Sequence, residues 1–235
     1  SDLNKLSNDN LFKNLRPSHV TVYAKNPEGL KDLFKSVSLS NTEYFAYTPK
    51  IPKKVLEAYR KNLLIGSACY NGEIFDVAQT KGEKILLKRM KFYDFIEVQP
   101  PSNYVQLVNT QQVEDMDLIH RTIKDIIDAS KKAGKLCVAT GDCHYLSREE
   151  KIFRDVYVYA KAVGGGRHPL NPYVRDKLAA KGIVFENPDQ HFRSTEEMLR
   201  QFSFLEDYEL AKEIVVTNSN IIADMMEPLY PIKDR

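Results

Sequence analysis

The sequence contains few cysteines and no long apolar run. It has three Cys and no Cys-x-x-Cys pair. This argues against a disulfide framework and fits a reducing compartment. The longest apolar runs, such as LLIGSAC, are far too short to cross a membrane, and the N-terminal SDLNKLSNDN lacks the apolar core of a signal peptide. We therefore expect a cytoplasmic protein with no membrane partner. Without an initiator Met, we expect it to be cut or processed from something longer.

The chain also lacks a charge excess and several common site motifs. Its 34 basic and 32 acidic residues give a net charge of +2, which neither supports nor excludes nucleic acid as a partner. There is no GxSxG, and VGGGRHPL has neither the Walker Lys-Ser pair nor GxGxxG spacing. Arg167 and His168 in that segment could touch an anion, but a surface loop is the preferred interpretation. His120 is predicted at the surface and His191 in a loop.

Four short segments are predicted to be strands. They lie at His19–Ala24 and within LLIGSAC, DFIEVQP and KLCVAT, and they alternate with helices. Repeated βα units indicate a parallel sheet or barrel with right-handed crossovers. A length of 235 residues suits an α/β barrel, but four strands fall short of the standard eight. The pattern therefore predicts an incomplete barrel, unless further strands escape detection.

The helices are predicted from their caps and apolar spacing. Asn26 followed by Pro27 marks a helix start, and Ser147 with Glu150 forms a capping-box pattern before another helix. A long helix is predicted from Gln111 to Ala133, ended by Gly134. The apolar face predicted for the first helix consists of Leu30, Leu33, Phe34 and Val37.

Candidate metal ligands follow two of the predicted strands. In parallel β/α folds, functional groups gather where strands end. Asp142 and His144 follow LCVAT, and residues i and i+2 of an extended segment point the same way. Cys69 follows LLIGSA. Carboxylate, imidazole and thiolate together suit Zn²⁺ best, and a carboxylate-rich set would also take Mn²⁺.

A simpler interpretation of these residues stays open. An Asp-x-His after a strand is also compatible with a turn whose His is satisfied by hydrogen bonds. A Cys after a buried strand is often a small core residue. Cys137, inside an apolar strand, is predicted to be core, and Cys143 is predicted to pack rather than to bind metal.

Several blocks of the sequence resemble one known family. In this order along the chain, they closely resemble the polymerase-and-histidinol-phosphatase (PHP) domain of PolC-type DNA polymerase III alpha subunits. The blocks are LRPSHVTVYAKNPEGLKDLFKSVSLSN, LLIGSACYNGEIF, FYDFIEVQPP, VATGDCHYL, FRSTEEMLRQFSFL and AKEIVVTNSNIIADM.

The resemblance implies a fold and a domain organisation. The PHP fold is a distorted, TIM-like β/α barrel, split in PolC by an inserted proofreading exonuclease. This chain would be the part C-terminal to that insertion, an α/β partial barrel followed by C-terminal helices. The expected segments are a polar lead-in (1–10), the barrel portion (11–161), a Gly-rich loop with an inserted helix near Tyr173 to Gly182 (162–193), and a helical segment leading toward the polymerase core (194–235).

The resemblance also implies metal ligands. His19 matches the His of the family's RPxH segment, Cys69 matches the Cys of its SxC…GE segment, and Asp142 and His144 match its Asp-x-His motif. Many PolC-type sequences have Asn in place of that Asp. The opening HxH and TDHG-like motifs and the next acidic ligand are absent. This chain would therefore supply at most four ligands for Zn or Mn, and the polymerase would use Mg.

The function implied for the intact protein is DNA-directed DNA synthesis, a nucleotidyl transfer, with an associated 3′-5′ exonuclease. DNA, the rest of the polymerase chain and replisome proteins would be its partners. A multinuclear site could activate water for phosphoester hydrolysis, with Asp142 and His144 as ligands rather than bases; no catalytic residue is assigned. The alternatives are a non-catalytic docking module and a free-standing PHP phosphoesterase, although the missing HxH argues against the latter. An open sheet edge also predicts a dimer or an edge contact.

Overall fold

The four predicted strands are confirmed. The computed structural model describes residues 14–161, 164–183 and 185–231. The predicted lead-in, residues 1–10, lies outside these ranges, as do the first residues of the predicted barrel portion. The strands form one sheet in the order β1-β2-β3-β4, with bounds β1 Thr21–Ala24, β2 Leu63–Gly66, β3 Phe95–Val98 and β4 Leu136–Ala139.

The chain divides into two units. The first comprises residues 14–96, 133–136 and 220–231, and the second comprises residues 97–132 and 137–219. The helices of the first unit are α1 Pro27–Asn41, α2 Lys53–Ala58, α3 Glu73–Thr80 and α4 Glu83–Met90. Those of the second are α5 Val105–Asn109, α6 Met116–Lys132, α7 Lys151–Tyr159, α8 Tyr173–Ala179, α9 Thr195–Gln201 and α10 Tyr208–Lys212. A π-helical turn, Glu213–Thr217, leads into α11, Asn218–Asp224.

The prediction of a parallel sheet is wrong for the first strand. β1 pairs with β2 in antiparallel register, with Tyr23 opposite Leu64, whereas β2 and β3 are parallel. The backbone N–H of Lys25 donates to the carbonyl of Asn62 at 2.9 Å, so the end of β1 lies beside the start of β2. After α1 the chain contains Pro49 and Pro52 and stays non-helical until α2. The segment between β1 and β2 therefore begins and ends at the same end of the sheet, which makes the two strands antiparallel.

Helix α1 begins where its cap predicts. The side chain of Asn26 accepts a hydrogen bond from the backbone N–H of Gly29 at 2.8 Å, and Pro27 occupies the first turn. The predicted apolar face is wrong in part, because Phe34 is 56% exposed and Val37 is 52% exposed.

A close backbone contact and a hydrogen bond, both made to Asn62, set the orientation of α1. A Cβ on Gly29 would lie 2.2 Å from the carbonyl oxygen of Asn62, so helix and loop backbones are in close contact there. The amide of Asn62 also donates to the carboxylate of Asp32 at 3.3 Å. These contacts turn the face of α1 that carries Gly29 and Asp32 toward Asn62. The side chains of Phe34 and Val37 therefore face solvent.

The long helix α6 is confirmed, but it starts later than predicted. It begins at Met116 rather than Gln111. The carboxylate of Asp115 accepts from the backbone N–H of Leu118 at 2.8 Å, which caps this start. Gln111 has a positive φ of 59°, which is incompatible with a helix, and Gly134 ends the helix with φ 65°. The buried face carries Ile119, Ile123, Ile126 and Ile127.

The other helix signals are also confirmed. Ser147 and Glu150 form a capping box, which opens a 3₁₀ turn before α7. Ser194 and Glu197 form a second one at the start of α9. The inserted helix expected near Tyr173 to Gly182 corresponds to α8. The predicted mixed α/β class is confirmed, while the barrel and the four segment boundaries stay predictions. None of the described helices has the length and hydropathy to span a membrane.

Candidate metal centre

The loop after β2 brings His19 and Cys69 together in the first unit. The Sγ atom of Cys69 lies 3.3 Å from Nδ1 of His19. The backbone of His19 is fixed, because its N–H donates to the carbonyl of Asn71 at 3.0 Å and the residue forms a parallel bridge with Gly72. The imidazole is exposed and Cys69 is half-buried. The side chains of these two predicted ligands therefore lie side by side in the structure.

A tight turn sets the position of Cys69. The backbone N–H of Gly72 donates to the carbonyl of Cys69 at 2.7 Å. A Cβ on Gly72 would lie 2.2 Å from the carbonyl oxygen of Ser67 and 2.9 Å from that of Cys69. Ala68 has a positive φ of 58°. A side chain at position 72 has no room, so glycine there is a condition for the turn that presents the thiol.

The loop after β4 brings Asp142 and His144 together in the second unit. The Oδ1 atom of Asp142 lies 3.8 Å from Nδ1 of His144, and both side chains are about one-third exposed. Asp142 has a positive φ of 49°, a conformation that Asp and Asn adopt more readily than most residues. The backbone is therefore not extended at Asp142, although the argument from i, i+2 spacing assumed that it was. The two side chains nevertheless lie close together.

Hydrogen bonds from three elements hold this loop. At its start, the N–H of Thr140 donates to the carbonyl of Val98 in β3 at 2.9 Å. The amide of Asn103 donates to the carbonyl of Gly141 at 3.0 Å. Gln190 makes two contacts: its side-chain amide donates to Oδ2 of Asp142 at 2.9 Å, and its carbonyl accepts from the N–H of His144 at 2.8 Å.

Buried polar atoms without partners surround the Asp142 loop. In the described part of the chain, the side-chain oxygens of Asn103 and Gln190 are buried and accept no hydrogen bond. Nε and Nη1 of Arg193 are also buried and unpaired, although its Nη2 donates to the hydroxyl of Ser102 at 3.1 Å. Buried polar groups are normally satisfied, so unsatisfied ones often mark a place for water or an ion.

The donor types suit zinc in each pair taken separately, and the spacings are close to those of two ligands on one ion. On a tetrahedral Zn²⁺, a His nitrogen and a Cys sulfur lie about 3.5–3.6 Å apart, and a His nitrogen and a carboxylate oxygen lie about 3.3–3.5 Å apart. The His19–Cys69 separation of 3.3 Å is slightly shorter than this, and the Asp142–His144 separation of 3.8 Å is slightly longer. Across residues 14–161, 164–183 and 185–231, no group of three or more His, Cys, Asp or Glu side chains is placed to hold a metal ion.

The sequence-based prediction that His191 is an ordinary loop residue missed a buried network. His191 is only 3% exposed and forms a parallel bridge with Tyr145. Its Nδ1 lies 2.7 Å from Oδ1 of Asp189, and Nε of Arg148 lies 3.3 Å from its Nε2. Glu197 approaches Nε2 to 3.5 Å. One signal was available, because Asp189-Gln190-His191 repeats the Asp-x-His pattern of the loop after β4.

The network shifts the titration of its carboxylates. Burial raises the pKa of Asp189, but the hydrogen bond from His191 and the charges of His191 and Arg193 outweigh it and lower the pKa overall. The pKa of Glu197 is lowered mainly by the backbone N–H of Ser194 and also by His191. Both carboxylates therefore stay charged to a lower pH than free carboxylates. The hydroxyl of Tyr145 donates to Asp189 at 3.2 Å and accepts from the N–H of Gln190 at 2.9 Å, which holds the segment carrying Gln190 beside the loop after β4.

The predictions for the remaining cysteines and for His120 differ in their outcomes. Cys137 is buried, as predicted, and burial raises its pKa to about 12. The prediction that Cys143 packs is wrong, because it is exposed. The loop turns at Asp142, so strand alternation does not carry through to position 143. His120 is half-buried and its ring stacks on Phe204 with centroids 4.4 Å apart.

Comparison with known proteins supports the resemblance. Residues 4–101 match the PHP domain. DNA polymerase III PolC-type of Listeria welshimeri is 44% identical over 223 residues, which is 95% of this chain and 14% of the relative. The protein of the same name from Latilactobacillus sakei is 43% identical over 95% of this chain and 14% of its own length. The Staphylococcus aureus protein is 42% identical over 98% of this chain and 15% of its own length.

This chain therefore spans only 14–15% of the curated relatives it matches. Both residues of the His19–Cys69 pair fall inside the PHP match, whereas Asp142 and His144 lie beyond it. The predicted resemblance is confirmed: the chain carries a PHP-domain match and is similar, over nearly all of its length, to a segment of PolC-type DNA polymerase III.

Proposed function

We propose that this chain is the PHP segment of a PolC-type replicative DNA polymerase and follows an exonuclease insertion. The observation that carries this is 42–44% identity over about 95% of the chain to proteins named DNA polymerase III PolC-type. In the intact protein, DNA synthesis with Mg²⁺ and the 3′-5′ exonuclease would reside in other segments. DNA and replisome proteins would be engaged through those segments.

The coding sequence around this segment tests the assignment. We expect an exonuclease domain upstream, preceded by an HxH motif, and polymerase domains downstream. Primer extension by the protein encoded by that whole reading frame should then require Mg²⁺. An unrelated gene on both sides, or a full-length product that cannot extend a primer, would overturn the proposal.

We further propose that His19 and Cys69 in the first unit, and Asp142 and His144 in the second, serve as ligands for Zn or Mn. The two close donor pairs and the unpaired side-chain oxygens of Asn103 and Gln190 beside the Asp142 loop support this. A bound ion would act as a Lewis acid and activate water for phosphoester hydrolysis. The chain's own task is to hold the ligands. Gln190 orients the Asp142 carboxylate, the Gly72 turn presents Cys69, and neither ligand pair needs to act as a base.

Equilibrium dialysis against Zn²⁺ or Mn²⁺, followed by elemental analysis, tests the ligand assignment. We expect bound metal in the 235-residue chain and a loss of about tenfold or more in affinity for His144→Ala and Asp142→Ala, the effect typical of disturbing a metal site. His120→Ala removes an imidazole that is not in the proposed set and should retain metal. Retention by all three variants, or loss by all three, would contradict the assignment. Hydrolysis of bis(p-nitrophenyl) phosphate, abolished in Asp142→Ala, would indicate a working phosphoesterase.

A docking role is favoured by one separate observation. Helix α7 exposes a continuous apolar face, in which Ile152, Phe153, Val156 and Tyr157 are each more than 60% exposed. Exposed apolar faces of this kind often mark contacts with another protein surface. In this second candidate function, the face packs against the remainder of the polymerase. Phe153→Glu should then leave the stability of the 235-residue chain unchanged but destabilise the full-length protein, and equal effects on both would count against docking.

A further inference from the structure

A cavity lies in the second unit, in the segment whose sequence predicted only a surface loop and an inserted helix. Its volume is ≈ 380 Å³, within the range of about 300–1,000 Å³ usual for small-molecule sites. The wall combines three cationic side chains with an apolar and aromatic surface. It is lined by Tyr159, Ala160, Lys161, Arg167, Asn171, Arg175, Asp176, Ala179, Ile183 and Phe185.

Arg175 builds the wall of this cavity. It is 6% exposed, and its guanidinium donates to the carbonyls of Leu170 and Phe185 and to the side chain of Asn187, at 2.8–3.0 Å. The guanidinium also lies 4.4 Å from the centroid of the Tyr159 ring. Because these contacts use its terminal nitrogens, Arg175 fixes the shape of the cavity and adds positive potential rather than a free donor.

Arg167 differs from Arg175, because it has hydrogen-bonding capacity to spare. Its Nη2 pairs with Oδ2 of Asp176 at 2.6 Å, and its guanidinium lies 4.4 Å from the ring centroid of Tyr173. Its Nη1 is buried and has no hydrogen-bond partner in the described ranges. Arg167 nevertheless lines the cavity and its side chain is 26% exposed, so the accessible part of this cationic side chain can meet an anionic oxygen there.

The ligand's chemistry follows from the wall. Arg167 and Lys161 provide charge for one phosphate group, since Arg and Lys are the usual phosphate donors. Ala160, Ala179, Ile183 and Phe185 offer an apolar surface for an attached body. Asp176 is 60% exposed and would compete with the phosphate for Arg167.

We propose that this cavity binds a phosphate monoester carried on an organic body with an apolar face, the class of a nucleoside monophosphate, through Arg167 and Lys161. The proposal does not depend on the metal centre or on the polymerase assignment. Its site lies among residues 159–185 and uses none of the proposed metal ligands.

Isothermal titration calorimetry on the 235-residue chain, in buffer containing EDTA, tests the proposal. The probes are adenosine 5′-monophosphate, adenosine and inorganic phosphate. We expect the monophosphate to bind more tightly than either fragment. Arg167→Gln should weaken it about tenfold or more, the loss expected for one charged hydrogen bond. Asp176→Asn should tighten it about two- to fivefold, because it removes a surface competitor for Arg167.

The two variants make the outcome decisive. Misfolding could explain weaker binding by Arg167→Gln, but it cannot explain tighter binding by Asp176→Asn. Absence of binding at millimolar monophosphate would overturn the proposal. So would equal affinity for adenosine, or an Asp176→Asn affinity equal to or below that of the unmodified chain.

Discussion

The turn that presents Cys69 can be tested by adding one methyl group. Gly72 and Gly82 occupy the same position relative to α3 and α4, each directly before the first helical residue. Their backbone angles are nearly the same, with φ −78° and ψ 159° at Gly72 and φ −74° and ψ 164° at Gly82. They differ in surroundings: an added Cβ meets backbone oxygen at 2.2 Å at position 72 and nothing within 4 Å at position 82.

This match isolates the steric cost of the added methyl group. Replacing Gly by Ala stabilises the folded chain by about 0.4–1 kcal/mol, because it lowers the conformational entropy of the unfolded chain, and it destabilises the helix cap. These two effects should be alike at both positions. Overpacking against backbone costs about 1–3 kcal/mol or more. We therefore expect Gly82→Ala to stay within about 0.5 kcal/mol of the unmodified chain, as surface substitutions do, and Gly72→Ala to be about 2 kcal/mol less stable than Gly82→Ala.

Urea denaturation followed by far-UV circular dichroism measures both variants. Because the clash involves the carbonyls of Ser67 and Cys69, relieving it must move the loop that carries the thiol. Gly72→Ala should therefore also bind Zn²⁺ less tightly than Gly82→Ala. Equal unfolding free energies for the two variants would refute the close packing inferred at Gly72.

Three further results are expected. Thiol labelling of the native chain should modify exposed Cys143 quickly, while Cys137, buried and with a pKa raised to about 12, should react only on unfolding; labelling of both at one rate would contradict this. The pKa of Asp189 is lowered in the folded chain, so its stabilising contribution is complete above the unfolded value of about 3.9 and is lost as pH falls through the folded value. The stability difference between the unmodified chain and Asp189→Asn should accordingly shrink on acidification through that window, and a constant difference would refute the link. Ile123→Ala should cost about 2–5 kcal/mol in urea denaturation, because Ile123 is fully buried, whereas Ile152→Ala on the exposed face of α7 should cost less than about 0.5 kcal/mol.

Local signals predicted the elements of this fold well. Asn26 with Pro27, Ser147 with Glu150 and Gly134 each mark helix ends where the structure has them, because caps depend on residues a few positions apart. The four strands were found for the same reason, since a short apolar run between turn residues is itself local.

The pairing direction of a strand and the face of a helix that is buried were not predictable from such local signals. The antiparallel pairing of β1 depends on where the long segment between β1 and β2 returns the chain, which the contact between Lys25 and Asn62 shows. The exposure of Phe34 depends on the close approach of Gly29 to Asn62, a residue 33 positions away. Such contacts between distant positions leave no periodic trace in the sequence.

The residues of the candidate site show the same difference between local and long-range signals. Residue types at strand ends identified Asp142, His144 and Cys69, and the family resemblance added His19. Neither approach found Gln190, which holds the Asp142 carboxylate, or the buried His191 network behind it. Those residues follow α8, and only folding brings them to the loop after β4.

Cobalt(II) binding by the 235-residue chain tests the central claim most directly, since thiolate ligation gives cobalt a distinct charge-transfer absorption. The account predicts this band in the unmodified chain, its loss in Cys69→Ser, and its retention in Cys143→Ser, which removes an exposed thiol outside the proposed ligand set. A chain without the band, or a band that survives Cys69→Ser, would contradict the assignment of Cys69 and its neighbour His19 as metal ligands.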